Sequence, residues 1–243
     1  MENHRVVSHD EWIEARKQFL ATEKELTRLR DRLSQERRAL PWERVDKSYT
    51  FDGPNGKETL ADLFAERSQL VVYHFMFSRD WEAGCPSCSL FADSFNGIVV
   101  HLDQRDVTFV AVSRAPFSKL DAYRKRMGWS FKWVSSAAND FNRDYQVSFT
   151  PDEVAKGEGY YNYVRSVRRC PAPACSTTTR PAGFSKRIRR TGAAWTRSWS
   201  TTSPRLGAQR ARRGRANTPS QAWVRRHDEY GSASVTAGTE RGR

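Results

Sequence analysis

The apolar positions of this chain change their period along its length. From Ser8 to about Ala39 they recur at helical spacing, with Trp12, Phe19, Leu26, Leu29, Leu33 and Leu40 in a stripe and Glu14, Lys17, Arg28 and Arg32 opposite. Ser8 followed by Glu11 is a capping-box pattern that predicts where this helix begins, and Pro41 predicts where it ends. Tyr49-Thr50-Phe51 before Asp52-Gly53-Pro54-Asn55-Gly56 reads as a strand and a turn. Thr59 to Glu66 reads as a short helix with Leu60, Leu63 and Phe64 on one side. Leu70 to Phe77 and Val107 to Val112 are unbroken apolar and aromatic runs, the pattern of parallel strands covered on both faces. Between them, Phe91, Phe95, Ile98 and Leu102 return at helical spacing over Ser89 to Leu102, so a strand–helix–strand crossover of right-handed sense is expected. Phe117 to Met127 predicts a further helix, and Phe131 to Val134 a third strand. The pattern is that of an α/β domain over residues 42–163, preceded by an amphipathic helical extension over 1–41.

Charge changes the picture only when it is divided along the chain. The net charge is +13, but residues 1–163 hold 23 Lys and Arg against 25 Asp and Glu. Residues 164–220 hold 14 Lys and Arg and no acid, and residues 221–243 net +1. The basicity therefore belongs to one segment outside the domain. In the first helix acids interleave with bases, which favours packing on the domain or on a second copy over a nucleic-acid arm. The N-terminus is polar and has no apolar run of signal-peptide type, and no stretch is long and apolar enough for a membrane span. The expected location is the cytoplasm, with no membrane partner. The four cysteines are too few for a disulfide framework at this length, so a close pair reads as redox or metal chemistry.

That pair is Cys85 and Cys88, in Gly84-Cys85-Pro86-Ser87-Cys88, placed after the first buried strand and at the start of the crossover helix. The first turn of a helix has free N–H groups and a partial positive charge, which stabilise a thiolate and lower its pKa. Two intervening residues bring the second sulfur within disulfide reach. Cys85 is then the attacking thiolate and Cys88 the thiol that resolves the mixed disulfide. Pro86 suits the first helical turn, where its missing N–H costs nothing. The plain alternative is two reduced cysteines that only pack. Zinc would need two more ligands, and the other cysteines, Cys170 and Cys175, are far along the chain. His74 reads as a core histidine, Asp80 and Glu82 as loop acids near the thiol, and Pro116 as a helix-start proline. No metal and no organic cofactor is implied; the expected partner is a dithiol or disulfide protein.

Arg38-Ala39-Leu40-Pro41-Trp42, the run Leu70 to Phe77, the run Asp80 to Cys88, Ser113-Arg114-Ala115-Pro116, Asp140-Phe141-Asn142 and Val147-Ser148-Phe149-Thr150-Pro151 together resemble the thioredoxin-like family catalogued as domain-of-unknown-function family 899. The likeness covers residues 8–163 and resumes at 221–230. It implies a thioredoxin-like central sheet with flanking helices and, by analogy, thiol–disulfide oxidoreductase chemistry. Two other readings stay open: a thiol peroxidase in which Cys85 attacks a peroxide, and a polyanion-binding protein acting through its Arg-rich segment.

Between Val164 and Ser220 the resemblance stops, and this segment reads as a basic, low-complexity, disordered or non-native tail. It also reads as frame-shifted. Reading Cys175 to Ser203 one base earlier yields, with suitable codons, an alternation of apolar and polar residues around an Asp-x-x-Gly turn. One position needs no choice, because Trp195 followed by Thr196 gives only Asp. On this reading the sheet lacks the hairpin that should follow its second crossover, its edge is exposed, and the product is inactive. A proline facing the cysteines is then unassignable, since Pro171 and Pro173 fall in the shifted stretch.

Overall fold

The helix predicted from Ser8 is α1 (His9–Ala39). Both halves of its capping box are made: the Glu11 N–H donates to Ser8 Oγ (3.3 Å) and the Ser8 N–H to the Glu11 carboxylate (3.1 Å). Leu40 caps its end, directly before Pro41. No residue of α1 is buried, and Trp12 and Phe19 are more than half exposed. This computed structural model describes residues 4–161, 164–165, 185–191, 194–199 and 226–229, and the chain divides into two units, 1–42 and 43–243. Among the described residues no helix is long and apolar enough to cross a membrane.

The second unit contains β1 (Glu43–Val45), β2 (Thr50–Gly53), β3 (Gly56–Thr59), a 3-10 turn (Asp62–Phe64), β4 (Gln69–His74), α2 (Pro86–Asn96), α3 (Val99–Asp103), β5 (Val107–Ser113), α4 (Phe117–Arg126) and β6 (Lys132–Ser135). After these come α5 (Phe141–Asp144), α6 (Pro151–Lys156), the short pair β7 (Tyr160–Tyr161) and β8 (Val164–Arg165), β9 (Ser185–Thr191), β10 (Ala194–Trp199) and a 3-10 turn (His227–Glu229). Eight strands form one mixed sheet in the order β1-β10-β9-β4-β5-β6-β2-β3. Strands β4, β5 and β6 are parallel; β9, β10, β1, β2 and β3 pair antiparallel with their neighbours. A parallel β4–β5 pair joined through a helix, with an antiparallel hairpin on the far side of β4, is the thioredoxin-like arrangement.

Burial follows the period of two that strands impose. Leu70 and Val72 of β4 join Val110, Val112 and Val134 in one core layer, closed by Phe51, Leu63, Phe64, Phe141 and Tyr145. Tyr73 joins Phe109, Ala111 and Trp133 in the other layer, closed by Ala92 and Phe95 of α2 and Leu120 and Tyr123 of α4. All seven residues of β5 are buried, which is why its sequence shows no alternation.

Besides the short elements β1, β3, α5, β7 and β8, which the sequence reading did not name, the structure differs from that reading at four places. The helix expected over 59–66 is only the 3-10 turn, because Ala65 and Glu66 take positive φ (47° and 66°) and end it. The helix expected over 89–102 starts at Pro86 and breaks after Asn96 into α2 and α3. Helix α6 was not anticipated, although Thr150, Pro151 and Glu153 form a complete capping box at its start. Finally, the expectation of a sheet without its hairpin is corrected. Residues 185–191 pair with β4, from Gln69↔Arg189 to Tyr73↔Ser185, and residues 194–199 pair with both β9 and β1. A ladder is made by backbone groups, so arginine-rich sequence does not forbid it; residues 185–199 hold no proline, and Pro181 and Pro204 lie outside. The rest of 164–220, apart from β8, including Pro171 and Pro173, lies outside the described residues.

Leu70 is fully buried in β4 whereas Trp12 is 54% exposed. Leu70→Ala should therefore destabilise the protein by about 2–5 kcal/mol, and Trp12→Ala by about 0.5 kcal/mol or less, as read from the midpoints of chemical denaturation.

Candidate active site

Beyond His74 the chain leaves β4 and is tied to the end of β5. The Phe75 N–H donates to Val112 O (2.9 Å), Ser113 Oγ donates to Phe75 O (2.7 Å), and the Ala115 N–H donates to Phe77 O (2.9 Å). The loop that follows closes on itself when the Cys85 N–H donates to Met76 O (3.1 Å). Lys119 of α4 braces it from outside, donating to Arg79 O (3.0 Å) and Trp81 O (3.2 Å). Gly84 admits no side chain: a Cβ there would lie 2.6 and 2.8 Å from the Phe75 ring and 2.9 Å from the Tyr123 ring. Both rings are buried in the aromatic layer and have nowhere to go.

Helix α2 starts at this point, with Cys85 as its N-cap, Pro86 as its first residue and Cys88 two residues further on. Ser89 Oγ donates to Cys85 O (2.9 Å) and lies 2.9 Å from Tyr123 Oη, while Tyr73 Oη donates to Cys88 O (3.1 Å). Hydroxyls from β4 and α4 thus hold the first turn of α2 down onto the sheet. Cys85 is partly exposed, Cys88 is buried, and both are free thiols.

The two sulfurs are electrostatically unequal. Cys85 is lowered to about 7, first by the hydrogen bond from the Cys88 thiol, then by the Cys88 and Ser87 N–H groups and the Arg226 charge; burial opposes them. Cys85 closes no full capping bond, but those first-turn amides still favour its anion. Cys88 is pushed well up, by its bond to Cys85, by burial and by the Cys85 charge. Burial also pushes Tyr73 well up, so the hydroxyl under Cys88 stays a donor. A thiolate next to a buried thiol that keeps its proton is chemically able to attack a disulfide and then be displaced by its neighbour.

In front of Cys85 opens a cleft of about 360 Å³ lined by Trp81, Glu82, Ala83, Gly84, Pro86 and Arg226. Of the residues weighed from sequence, the structure brings Cys85 and Cys88 together at the start of α2. The Glu82 side chain lines the cleft but is 97% exposed. His74 is buried on the other face of the sheet, stacked on Phe141 (centroids 5.5 Å apart), and Pro116 precedes α4. Cys170 and Cys175 lie outside the described residues. Sequence reasoning missed Arg226. Its only signal was that the family resemblance resumes at 221–230, with no chemistry attached.

Over residues 1–230 the chain matches the family described as "Bacterial protein of unknown function (DUF899)". No curated protein matches it. Among solved structures it is similar to a cysteine-to-serine mutant of PrxQ from Xylella fastidiosa, at 16% identity and TM-score 0.37, covering 63% of this chain and 80% of that one. It is similar to yeast mitochondrial 1-Cys peroxiredoxin at 14% identity and TM-score 0.40, covering 68% and 70%. For a hypothetical protein from Sinorhizobium meliloti 1021 the values are 16% and 0.34, and only 59% of that chain is covered.

Because the Cys85 thiolate is the reactive form, alkylation of the reduced protein should rise with pH and level off with a midpoint near 7. Below that midpoint it should fall about tenfold per pH unit, with Cys88 unmodified throughout the range, as read by mass spectrometry of quenched samples. Gly84→Ala should move the midpoint toward that of free cysteine, because the added carbon drives the loop off the two rings.

Proposed function

The chain belongs to the DUF899 family of bacterial proteins, and within its thioredoxin-like fold we propose that it is a thiol–disulfide oxidoreductase with Cys85 as nucleophile and Cys88 as resolver. The observation that carries this reading is the placement of two free thiols one helical turn apart at the start of α2, Cys85 partly exposed at the N-cap and Cys88 buried, with acidities that this placement drives apart. The Cys85 thiolate attacks one sulfur of a substrate disulfide; the Cys85–substrate bond forms as the substrate S–S bond breaks, and the departing thiolate takes a proton from solvent. Cys88 then loses its proton and attacks the Cys85 sulfur. The second substrate thiol leaves, and the Cys85–Cys88 disulfide holds the two electrons' worth of oxidation. An external dithiol returns the pair to the reduced state.

The order of attack follows from exposure and acidity together. At neutral pH a thiol near 7 is about half ionised and near the optimum for attack. Cys88 is buried and protonated, so it waits until a mixed disulfide at Cys85 removes the anion that raised its pKa. The apolar walls of the cleft suit a peptide-borne disulfide partner.

We also read residues 164–220 as a stretch disturbed in reading frame, supported by its lack of any acid and by the return of the family pattern at Gln221. Resequencing the coding region should find paired compensating shifts flanking it; an undisturbed reading frame there removes this reading.

Cys88→Ser should accumulate a mixed disulfide at Cys85 with a small dithiol-reducible substrate, and Cys85→Ser should form none at that position, on non-reducing gels and by mass. If Cys88→Ser traps nothing and turnover of a model disulfide is unchanged, the oxidoreductase reading fails. Rapid sulfenic acid at Cys85 with peroxide, and no disulfide exchange, would replace it with the peroxidase.

A further inference from the structure

Arg226 reaches the cysteine turn from 142 residues away. We propose that it is a positioning residue of the Cys85 site: residues 226–229, docked on α4, clamp the peptide unit that precedes Cys85 and fix a positive charge beside the sulfur. The inference rests on the oxidoreductase reading for its purpose but not for its geometry.

Three observations converge. First, the guanidinium donates twice to one acceptor, Nε to Gly84 O (3.1 Å) and Nη2 to Gly84 O (2.7 Å). The Gly84 carbonyl and the Cys85 N–H belong to the same rigid peptide plane. Arg226 holds one end of that plane and Met76 O the other, at 3.1 Å from the Cys85 nitrogen. Since Gly84 has no side chain to hold it, these two contacts orient the entry into α2. Second, the docked segment is itself anchored. Arg126 of α4 pairs with Asp228 through Nε (2.6 Å) and Nη2 (3.1 Å), and Arg226 Nη1 pairs with Glu229. The Arg226 guanidinium lies 6.0 Å from the centre of the Tyr123 ring, and that of Arg126 lies 5.5 Å from the same ring. Third, the Arg226 side chain is only 16% exposed, so its charge acts on Cys85 with little screening, and it lines the cleft in front of that sulfur.

The bonding pattern distinguishes a positioning group from a substrate receptor. The fork is committed to Gly84 O and Glu229, and its charge is fixed in place rather than free to bind an arriving anion. Among the described residues, the ionisable and charged groups gathered about the site are Cys88 on α2, Tyr73 on β4, Tyr123 and Arg126 on α4, Glu82 of the loop before Cys85, and Arg226, Asp228 and Glu229 of the docked segment, with Lys119 outside the loop. Arg226 favours the Cys85 anion. Glu229 offsets part of its charge, so the expected effect is moderate.

The test is the pH midpoint of Cys85 alkylation in the full reduced chain, which needs no substrate. Arg226→Gln should raise the midpoint by about 0.5–1 unit, and Arg226→Lys, which keeps the charge but not the fork, by less. Arg126→Gln leaves Arg226 intact but weakens its dock, and it should raise the midpoint in the same direction by less than Arg226→Gln. Circular dichroism and denaturation midpoints confirm that each variant is folded; should Arg226→Gln fail to fold, Arg126→Gln and Arg226→Lys carry the test. A folded Arg226→Gln protein whose midpoint equals the parent's overturns the proposal, as does a shift in Arg226→Lys as large as in Arg226→Gln together with none in Arg126→Gln. If Cys88→Ser traps no partner while these midpoints move as stated, the oxidoreductase reading fails and the positioning role stands; normal trapping with unmoved midpoints removes the role alone.

Discussion

The hydrogen bond between the Cys85 and Cys88 sulfurs divides one acid–base task between two chemically identical groups. A thiolate accepting a proton that its neighbour keeps is favoured by that bond, and the neighbour becomes harder to ionise for the same reason. Nothing in the two side chains decides which sulfur takes which part. Position decides: Cys85 caps the helix and faces the cleft, while Cys88 lies under the first turn with Tyr73 beneath it. The macrodipole of α2 and its free amides act most strongly on the sulfur at the very start.

Holding two sulfurs in that relation demands a rigid frame, and the sheet supplies it. Strand β4 is covered on both faces, so its end, and the loop leaving it, cannot shift without opening one of two packed layers. In the layer under the cysteines nine of the fifteen buried residues are aromatic, so rings set its shape. Phe75 lies 4.6 Å from Trp133 and 5.8 Å from Trp129 between ring centres, and Trp133 Nε1 donates to Ser113 Oγ, which in turn donates to Phe75 O. Gly84 fits between two of these rings, which makes the absence of a side chain there a requirement of packing rather than of backbone conformation.

The same site depends on a contact that spans most of the domain's sequence. Partly exposed ion pairs such as Arg126–Asp228 are individually worth about 0–1 kcal/mol, so the docked segment is held by several modest interactions rather than one strong one. Its influence on Cys85 comes from where it puts a charge, not from how tightly it binds. Between its two ends lies the Arg-rich stretch 164–220. The hairpin β9–β10 within that stretch shows that backbone pairing tolerates a side-chain pattern that periodicity alone would reject.

What the amino-acid sequence determined by itself is local. Ser8 and Glu11 set the start of α1, the unbroken runs marked β4 and β5 as doubly covered strands, and Cys-Pro-Ser-Cys after such a strand marked a helix start that can stabilise a thiolate. Each of these rests on interactions within a few residues or on a simple period, and both are written in the order of the letters. Tertiary structure decided the rest. The exclusion of any side chain at Gly84 comes from rings on two other elements, the protonated state of Cys88 from burial, and the presence of Arg226 at the cysteines from a dock on α4. The hairpin was hidden for the same reason: a ladder is completed by the backbone of β4, and no residue of 185–199 records in its own side chain which strand it will meet.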